Sequence, residues 1–481
     1  MQAPQPPTAS GGAVRWRGPL VTEGPANSCL LRPRQEAKVD APRMGDAMLS
    51  GPPTGHSATH PLVPVAEGSR IDVLDVLRGF ALFGVLLANL TWYFSGYGDL
   101  GPDEATRLPT AAVDPVVLWL GSFFVDRKFI SIFCFLFGVG FALQMRRASG
   151  SGTGVRRLYV RRMLWLFVCG VAHALLIWYG DILHLYAVLG LLLIGWVARS
   201  DRALVGWGLT FALLIPVAAH SVLWGLPILT EGSVDPAAAF SARWEAASAL
   251  KVAFVHGSYT EVIRANVADV WAWLSTDDAL TTGLASFGKL LLGFWVGRTS
   301  ILDRASASPA GTEHPSSTVT LMRRGFVWGL ALGVVCQGIT LADSFVPAAQ
   351  ADSLAARVGE AALWQIGVLA LAASYVCGIV LLFRRPACRG FLRMFAPVGR
   401  MALTNYIGQS VICIYLFYGC GLGWYGSVGP TAALGVALVV FTAQALVSAR
   451  WLRLFRFGPA EWVWRSLTYG HRQPLRLRPA A

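Results

Sequence analysis

Residues 70–90 read RIDVLDVLRGFALFGVLLANL, a polar start that becomes continuously apolar within a few residues. Yet Asp75, Arg78 and Asn89 lie at or inside the apolar run, and at ~100° per helical residue they fall within about 60° of one another. Charged groups in lipid are costly unless they face a bundle interior or a water-filled cavity. The stretch therefore predicts a membrane-spanning helix with one polar side directed into the protein.

The composition of the whole chain is that of an integral membrane protein. Of 481 residues, 54% are hydrophobic and only 14% are charged, and the mean hydropathy is +0.52. Soluble domains carry roughly 25% charged residues. The apolar runs are long and continuous, whereas a β-barrel needs alternating segments of about 10 residues. We therefore expect an all-α, polytopic helical bundle in the membrane.

Ten apolar segments are candidates to cross a hydrocarbon layer of ~30 Å. The segments lie near 73–94, 122–144, 163–180, 182–198, 203–225, 283–300, 322–342, 359–383, 401–420 and 430–449. The third and fourth meet at Gly180-Asp181, which predicts a tight external hairpin.

Arginine clusters in alternate loops predict the orientation of these segments. Basic residues crowd the loops after segments two, four, six, eight and ten, whereas the other loops hold few. An excess of Arg and Lys marks cytoplasmic loops, so both termini are expected to be cytoplasmic. The net charge of +13 follows from this bias, and no nucleic-acid partner is expected.

The segments and the linkers between them predict five regions. Residues 1–69, rich in Pro, Gly and Ser, are expected to be a disordered tail, and Met44 or Met48 is an alternative start to Met1. Residues 70–302 form an N-terminal bundle with an external loop at 226–282. A cytosolic linker (303–320), a C-terminal transmembrane domain (321–470) and a basic tail (471–481) follow.

The strongest candidates for chemistry are His173, Asp181 and His184 in AHALLIWYGDILHLYA. A carboxylate beside an imidazole fixes its tautomer and raises its basicity, which general-base catalysis requires. The alternative is structural, with Asp181 capping a helix and the histidines bound to backbone groups. A metal site would need further ligands, and none cluster here, so no metal is expected.

Two further polar groups lie at or inside predicted spans. Asp126 and Lys128 open the second span, either as an interfacial charge cluster or as part of a substrate pathway. Asn405 and Gln409 are four residues apart, so both amides face one direction. They either line the pathway or hydrogen-bond a neighbouring helix.

The stretch FGPAEWVWRSLTYG after the tenth span predicts a short interfacial helix. Gly458-Pro459 begins it, Glu461 and Arg465 form an i,i+4 pair, and the tryptophans suit the headgroup zone. Arginines beside this helix are also suited to hold the phosphates of an acyl or nucleotide carrier.

Five blocks in this order resemble the YeiB family of bacterial multi-pass membrane proteins, whose C-terminal part is domain of unknown function 418. The blocks are LDVLRGFALFGVLLAN, DRKFISIFCFLFGVGFALQ, HALLIWYGDILHLYAVLG, GRMALTNYIGQS and FGPAEWVWRSLTYG. The resemblance runs from about Arg70 to Tyr469. It implies a polytopic helical fold in the bacterial plasma membrane.

The first helix is also distantly similar to the opening helix of heparan-alpha-glucosaminide acetyltransferase-type enzymes, through Asp75, Arg78-Gly79 and Asn89. That similarity implies transfer of an acyl group from a cytosolic thioester, such as acyl-CoA, to a sugar, lipid or amine on the other side. In those enzymes a catalytic histidine follows in the next loop, but residues 91–115 contain none. His173 or His184 would have to replace it.

Three functions are compatible with the sequence. In a membrane acyltransferase, Asp75 and Arg78 would line the donor entrance, and Asn89 or Asn405 would donate to the reacting carbonyl oxygen. No cofactor is then needed beyond acyl-CoA as a donor substrate. A transporter or exporter of a small metabolite would use the same polar side of the first helix as its path. The third function is that of a non-catalytic envelope component.

Overall fold

The computed structural model describes residues 72–147, 153–222, 252–307, 317–343 and 353–477. These residues are mainly helical and contain no β-strand, and an isolated bridge joins Phe455 to Arg476. The predicted tail 1–69, the first half of the external loop and the middle of the linker lie outside the described residues. The all-α class expected from composition is confirmed.

The main helices follow the apolar segments of the sequence. In chain order they are α1 (Asp72–Asn89), α2 (Asp114–Phe124), α3 (Lys128–Arg147), α4 (Thr153–Leu176), α5 (Leu183–Leu193), α6 (Asp201–Leu209), α7 (Tyr259–Leu274), α8 (Asp277–Thr299), α9 (Ser317–Asp343), α10 (Leu354–Phe383), α11 (Ala402–Phe417), α12 (Pro430–Leu454) and α13 (Pro459–Tyr469). Single π-helical turns, Leu90–Phe94 and Thr210–Leu214, continue α1 and α6. Short helices in the connections include Pro102–Thr106, Ile301–Ala307, Pro386–Leu392 and Ala396–Arg400.

The lengths and compositions of these helices are those of a multi-pass membrane protein. In the described ranges, eight helical stretches are long and apolar enough to cross a bilayer. Two more apolar helices, Leu183–Trp196 and Ala402–Phe417, are shorter. Each of the ten predicted segments coincides with one of these ten stretches.

The second segment differs from its prediction, because it is broken near its outer end. The sequence predicts one apolar run over 122–144, but α2 ends at Phe124 and α3 begins only at Lys128. Between them Arg127 adopts a left-handed conformation, with φ 58°, and the Lys128 N–H donates to the Asp126 carbonyl at 2.8 Å. The turn directs the Lys128 side chain into the interior, where it is fully buried.

Close helix pairs form the interior, and glycines permit the closest approach. α3 packs along α8, and α9 packs along α10. At the first of these crossings, a Cβ at Gly138 would overlap the Leu290 carbonyl, and one at Gly293 would overlap the Phe135 carbonyl. Gly138, the first glycine of the stretch FGVGF, is therefore a packing residue, as small residues at contacts between membrane helices usually are.

The C-terminal helix α13 is docked against the start of α4. The Trp464 indole donates to the Arg162 carbonyl at 3.0 Å, and the Arg162 guanidinium lies 4.3 Å from the centre of that indole ring. A guanidinium over an indole face is attracted by the ring quadrupole. The helix predicted to be interfacial is thus fixed to α4 of the N-terminal bundle.

Candidate functional site

Three side chains predicted to be catalytic meet where α4 turns into α5. His173 lies near the end of α4, Asp181 in the connection, and His184 at the start of α5. Oδ1 of Asp181 lies 3.0 Å from Nδ1 of His173, and Oδ2 lies 2.8 Å from Nδ1 of His184. One carboxylate thus contacts two imidazoles at their Nδ1 atoms, and the contact with His184 is a hydrogen bond, whereas that with His173 is close only in distance.

This cluster is buried. The side chains of His173 and Asp181 are 0% exposed, and that of His184 is 14% exposed. The sequence predicts an external hairpin at Gly180-Asp181, but the structure places the carboxylate inside the protein.

Helix α7 covers the end of α4 next to the cluster. The Asn266 amide donates to the carbonyl oxygen of Ile177 at 3.2 Å, and the Tyr259 hydroxyl donates to that of Leu176 at 2.5 Å. Both acceptors are end-of-helix carbonyls that have no partner within the helix itself. Helix α7, which lies within the loop predicted at 226–282, is therefore fixed to the end of α4 by hydrogen bonds.

The local sequence explains how Asp181 comes so close to α4. Oδ2 of Asp181 also accepts the backbone N–H of His184 at 3.0 Å, so the carboxylate caps the first turn of α5. A Cβ at Gly170 would overlap the backbone nitrogen of His184. The capping and general-base interpretations of the sequence are therefore compatible, and Gly170 allows both.

His173 connects the cluster to a cavity through Tyr406. Both ring nitrogens of His173 are buried, and neither has a hydrogen-bond partner in the described part of the chain. The His173 ring centre lies 5.2 Å from that of Tyr406, and Tyr406 lines the cavity. Buried polar atoms in folded proteins nearly always have a hydrogen-bond partner, so a buried nitrogen without one is a candidate contact for a ligand.

The cavity beside Tyr406 has a volume of about 310 Å³ and lies among α1, α3, α4, α5, α11 and α13. We call it the basic cavity because of its charged lining. Its ionisable side chains are Asp75, Arg78, Arg162, Arg400, Glu461 and Arg465. Four arginines face two carboxylates, and all four belong to the side that the charge bias predicts to be cytoplasmic.

The two carboxylates of the basic cavity are both held by protein groups. Oδ1 of Asp75 accepts from Arg78 at 2.9 Å. Glu461 accepts the backbone N–H groups of Leu403 and Thr404, at 2.7 and 3.1 Å, at the N-terminus of α11. Burial raises the pKa of Glu461, against the opposing effect of these hydrogen bonds. Glu461 is therefore a buried cap of α11.

Asn405 and Gln409 face one direction as predicted, but they hydrogen-bond protein groups outside the basic cavity. The Asn405 amide donates to the Met401 carbonyl and to the Ser448 hydroxyl, each at 3.0 Å. The Gln409 amide donates to Gln444 at 3.0 Å. Both side chains join α11 to α12, which is the structural alternative stated for them.

Lys128 also lies apart from the basic cavity. Its ammonium donates to the Ser122 carbonyl at 2.6 Å and to the Gln337 side chain at 2.8 Å, and it lies 4.8 Å from the Trp364 ring centre. The contacts reach α9 and α10. Lys128 therefore joins the two parts of the bundle on either side of the linker.

Asn89 and Asp126 are half-buried, and neither lines the basic cavity. Of Asp75, Arg78 and Asn89 on the first helix, only Asp75 and Arg78 line that cavity. Within the described ranges, no group of three or more His, Cys, Asp and Glu side chains is arranged to hold a metal ion.

Comparison with known proteins matches this chain to bacterial relatives over nearly their full length. It is 32% identical to the uncharacterized protein YxaH of Bacillus subtilis over 420 residues, which are 86% of this chain and 98% of that protein. It is 30% identical to the uncharacterized protein YeiB of Escherichia coli, across 83% of this chain and 96% of that protein. The chain belongs to the YeiB-like family. Residues 311–471 match the family model described as a protein of unknown function (DUF418), and no solved structure matches.

The cluster and the basic cavity include residues that the sequence of this YeiB-like chain does not by itself place there. In the sequence, Arg162 and Arg400 are two of many arginines beside apolar segments, and Tyr406 directly follows Asn405. Gly170 has no signal of its own in the sequence beyond a glycine three residues before His173. These residues come from helices far apart in the chain, so only their packing shows that they share one site.

Proposed function

We propose that this protein is an acyltransferase of the bacterial plasma membrane. In this proposal an acyl-CoA enters the basic cavity from the cytoplasmic side, and its acyl group passes to a hydroxyl or amine acceptor. The observation that supports the proposal best is the Asp181 carboxylate held between His173 and His184, next to a cavity with an arginine-rich lining.

The lining of the basic cavity suits an amphipathic anion. Arg78, Arg162, Arg400 and Arg465 supply planar donors that match phosphate oxygens. Farther in, the wall consists of apolar and aromatic side chains, which suit an acyl chain. They include Phe133, Leu136, Phe137, Leu166 and Leu183.

The cluster is arranged for general-base catalysis of acyl transfer. The acceptor oxygen or nitrogen attacks the thioester carbonyl, and its proton passes to Nε2 of a histidine whose Nδ1 is held by Asp181. The C–S bond then breaks, the new C–O or C–N bond remains, and the histidine returns the proton to the departing thiolate. Because Asp181 contacts both rings, single substitutions decide which histidine is the base.

A donor to the carbonyl oxygen is also required. The Asn405 amide is occupied by Met401 and Ser448, so it is a poor candidate for this part. The Tyr406 hydroxyl replaces it in the proposal, because Tyr406 both lines the basic cavity and contacts the His173 ring. Donors directed at developing negative charge provide much of the rate enhancement in acyl transfer.

The test measures release of free CoA thiol by the full chain in phospholipid vesicles supplied with acetyl-CoA or palmitoyl-CoA. Substitution of the base, His173→Gln or His184→Gln, should reduce the rate by about 10²-fold or more. His256→Gln is the matched control, because His256 is exposed and lies outside the cluster and the basic cavity. It should leave the rate unchanged.

Two results would overturn the proposal. One is no thiol release with either donor from vesicles in which the protein is folded. The other is flux of a labelled metabolite through the vesicle membrane, unchanged in chemical form and independent of acyl-CoA, which is the result expected of a transporter.

A further inference from the structure

A second cavity, of about 390 Å³, lies on the His184 side of Asp181. It is formed between α4, α5 and α7, with one residue from α8, and we call it the outer groove. Its lining includes Val171, Ala174, His184, Val188 and Trp273. Whereas Tyr406 connects His173 to the basic cavity, His184 itself forms part of the wall of the outer groove. The Asp181 carboxylate thus contacts one histidine associated with each cavity.

The outer groove is apolar except at His184. Trp273 is the other lining residue with a polar hydrogen, and its indole N–H is directed to Asp278, at 3.4 Å. The His184 and Trp273 ring centres are 6.4 Å apart with their planes nearly perpendicular. Nδ1 of His184 is occupied by Asp181, so Nε2 is the ring nitrogen left for a ligand.

The groove is bordered by helix surfaces that face the bilayer. Phe167 on α4 is 39% exposed and Val188 on α5 is 42% exposed, although both are large apolar residues. Both helices are apolar stretches of a multi-pass membrane protein, so exposed apolar side chains on them meet lipid. α7, which Asn266 fixes to the end of α4, closes the groove on the side predicted to be external.

We infer that the outer groove holds the alkyl chain of a bilayer lipid, and that a hydroxyl or amine on the headgroup of this lipid is the acceptor of the acyl group. The inference rests on the proposed function and adds the class of acceptor. The lipid's O–H or N–H proton passes to Nε2 of His184, its oxygen or nitrogen forms the new acyl bond, and the thioester C–S bond breaks. The thiolate takes up the proton.

The chemistry of the lining favours a lipid over a water-soluble acceptor. A sugar carries many hydroxyl groups, and each one left without a partner in an apolar site weakens binding. Among the described lining residues of the groove, His184 is the one titratable side chain and the rest are mainly apolar, which suits the alkyl chain of a lipid with its reacting group placed at His184.

The test uses the full chain in phosphatidylcholine vesicles, which offer no free hydroxyl or amine, with or without phosphatidylglycerol or phosphatidylethanolamine. Val188→Trp fills the groove at its rim. Leu192→Trp is the control, because Leu192 is also exposed on α5 but lies outside the groove. Lipid acylation from palmitoyl-CoA is followed by chromatography. Separately, a phosphatidylglycerol with a diazirine in its chain is photolysed, and the labelled residues are identified by mass spectrometry.

We expect an acylated lipid only when one of the added lipids is present, and label on Val171 and Leu175. Val188→Trp should raise the KM for the lipid about tenfold or more and reduce that label, with no change in Leu192→Trp. Acyl transfer confined to water-soluble acceptors, or equal label in both variants, overturns the inference and leaves the proposed function standing. Labelling of the groove without acyl transfer to any acceptor overturns the inference and the proposed function together.

Discussion

His184 contacts Asp181 twice, through its ring and through its backbone. Nδ1 lies 2.8 Å and the backbone nitrogen 3.0 Å from the same oxygen, Oδ2. The carboxylate therefore orients the imidazole and caps α5 with one atom, while its second oxygen lies 3.0 Å from His173. Because an amide can replace the cap but not the charge, the two contributions can be separated by substitution.

Asp181→Asn should abolish most activity with little loss of stability. The Asn oxygen can still accept the His184 N–H, but a neutral amide does not stabilise an imidazolium ion. We expect thiol release from acyl-CoA to fall by about 10²-fold or more, and the melting temperature in detergent to change little. Equal activity of the wild type and Asp181→Asn would show that the carboxylate serves only as a helix cap.

Gly170→Ala should destabilise the protein, whereas Gly206→Ala should not. Both glycines lie in helices, where alanine is favoured by up to about 1 kcal/mol. A Cβ at Gly170 would overlap the His184 backbone, at an expected cost of about 1–3 kcal/mol, whereas a Cβ at Gly206 meets nothing within 4 Å. Melting temperatures of the two variants in the same detergent check this. A higher melting temperature for Gly170→Ala than for Gly206→Ala would contradict it.

Lys128→Met should destabilise the protein by about 1–3 kcal/mol, because it leaves two buried acceptors without their donor. The acceptors are the Ser122 carbonyl and the Gln337 side chain. If Lys128 and Gln337 act as a pair, Gln337→Leu in the Lys128→Met background should cost less than in the wild type. A double-mutant cycle of unfolding in detergent measures the difference. Strict additivity would mean that the contact contributes nothing.

The stability of the protein should depend on pH through Glu461. Burial raises its pKa above the usual 4.5, so the folded state binds this proton more tightly than the unfolded state does. The stabilisation is fully present below pH 4.5 and is lost as pH rises through the higher folded-state pKa. Glu461→Gln removes the titration. The melting temperature of the wild type should therefore fall relative to that of Glu461→Gln over this range, and a constant difference would contradict the prediction.

The C-terminal helix shows how far local pattern predicts structure. Gly458 and Pro459 begin a helix, as capping rules predict, and α13 ends at Tyr469. The pattern also predicts a surface pair between Glu461 and Arg465, four residues apart. Glu461 also binds the N-terminus of α11, a contact 57 residues away in the chain that the local pattern does not predict.

Sequence by itself determined the helical membrane class and the ten apolar segments, and it predicted His173, Asp181 and His184 as candidate site residues. Those features depend on hydrophobicity, periodicity and spacing, which are local properties. Tertiary structure alone decided that Asp181 holds both histidines and that Asn405 binds α12. It also brought Arg162 and Arg400 to one cavity and left His184 facing another. Such relationships depend on which helices pack together, and a single sequence contains no direct record of those contacts.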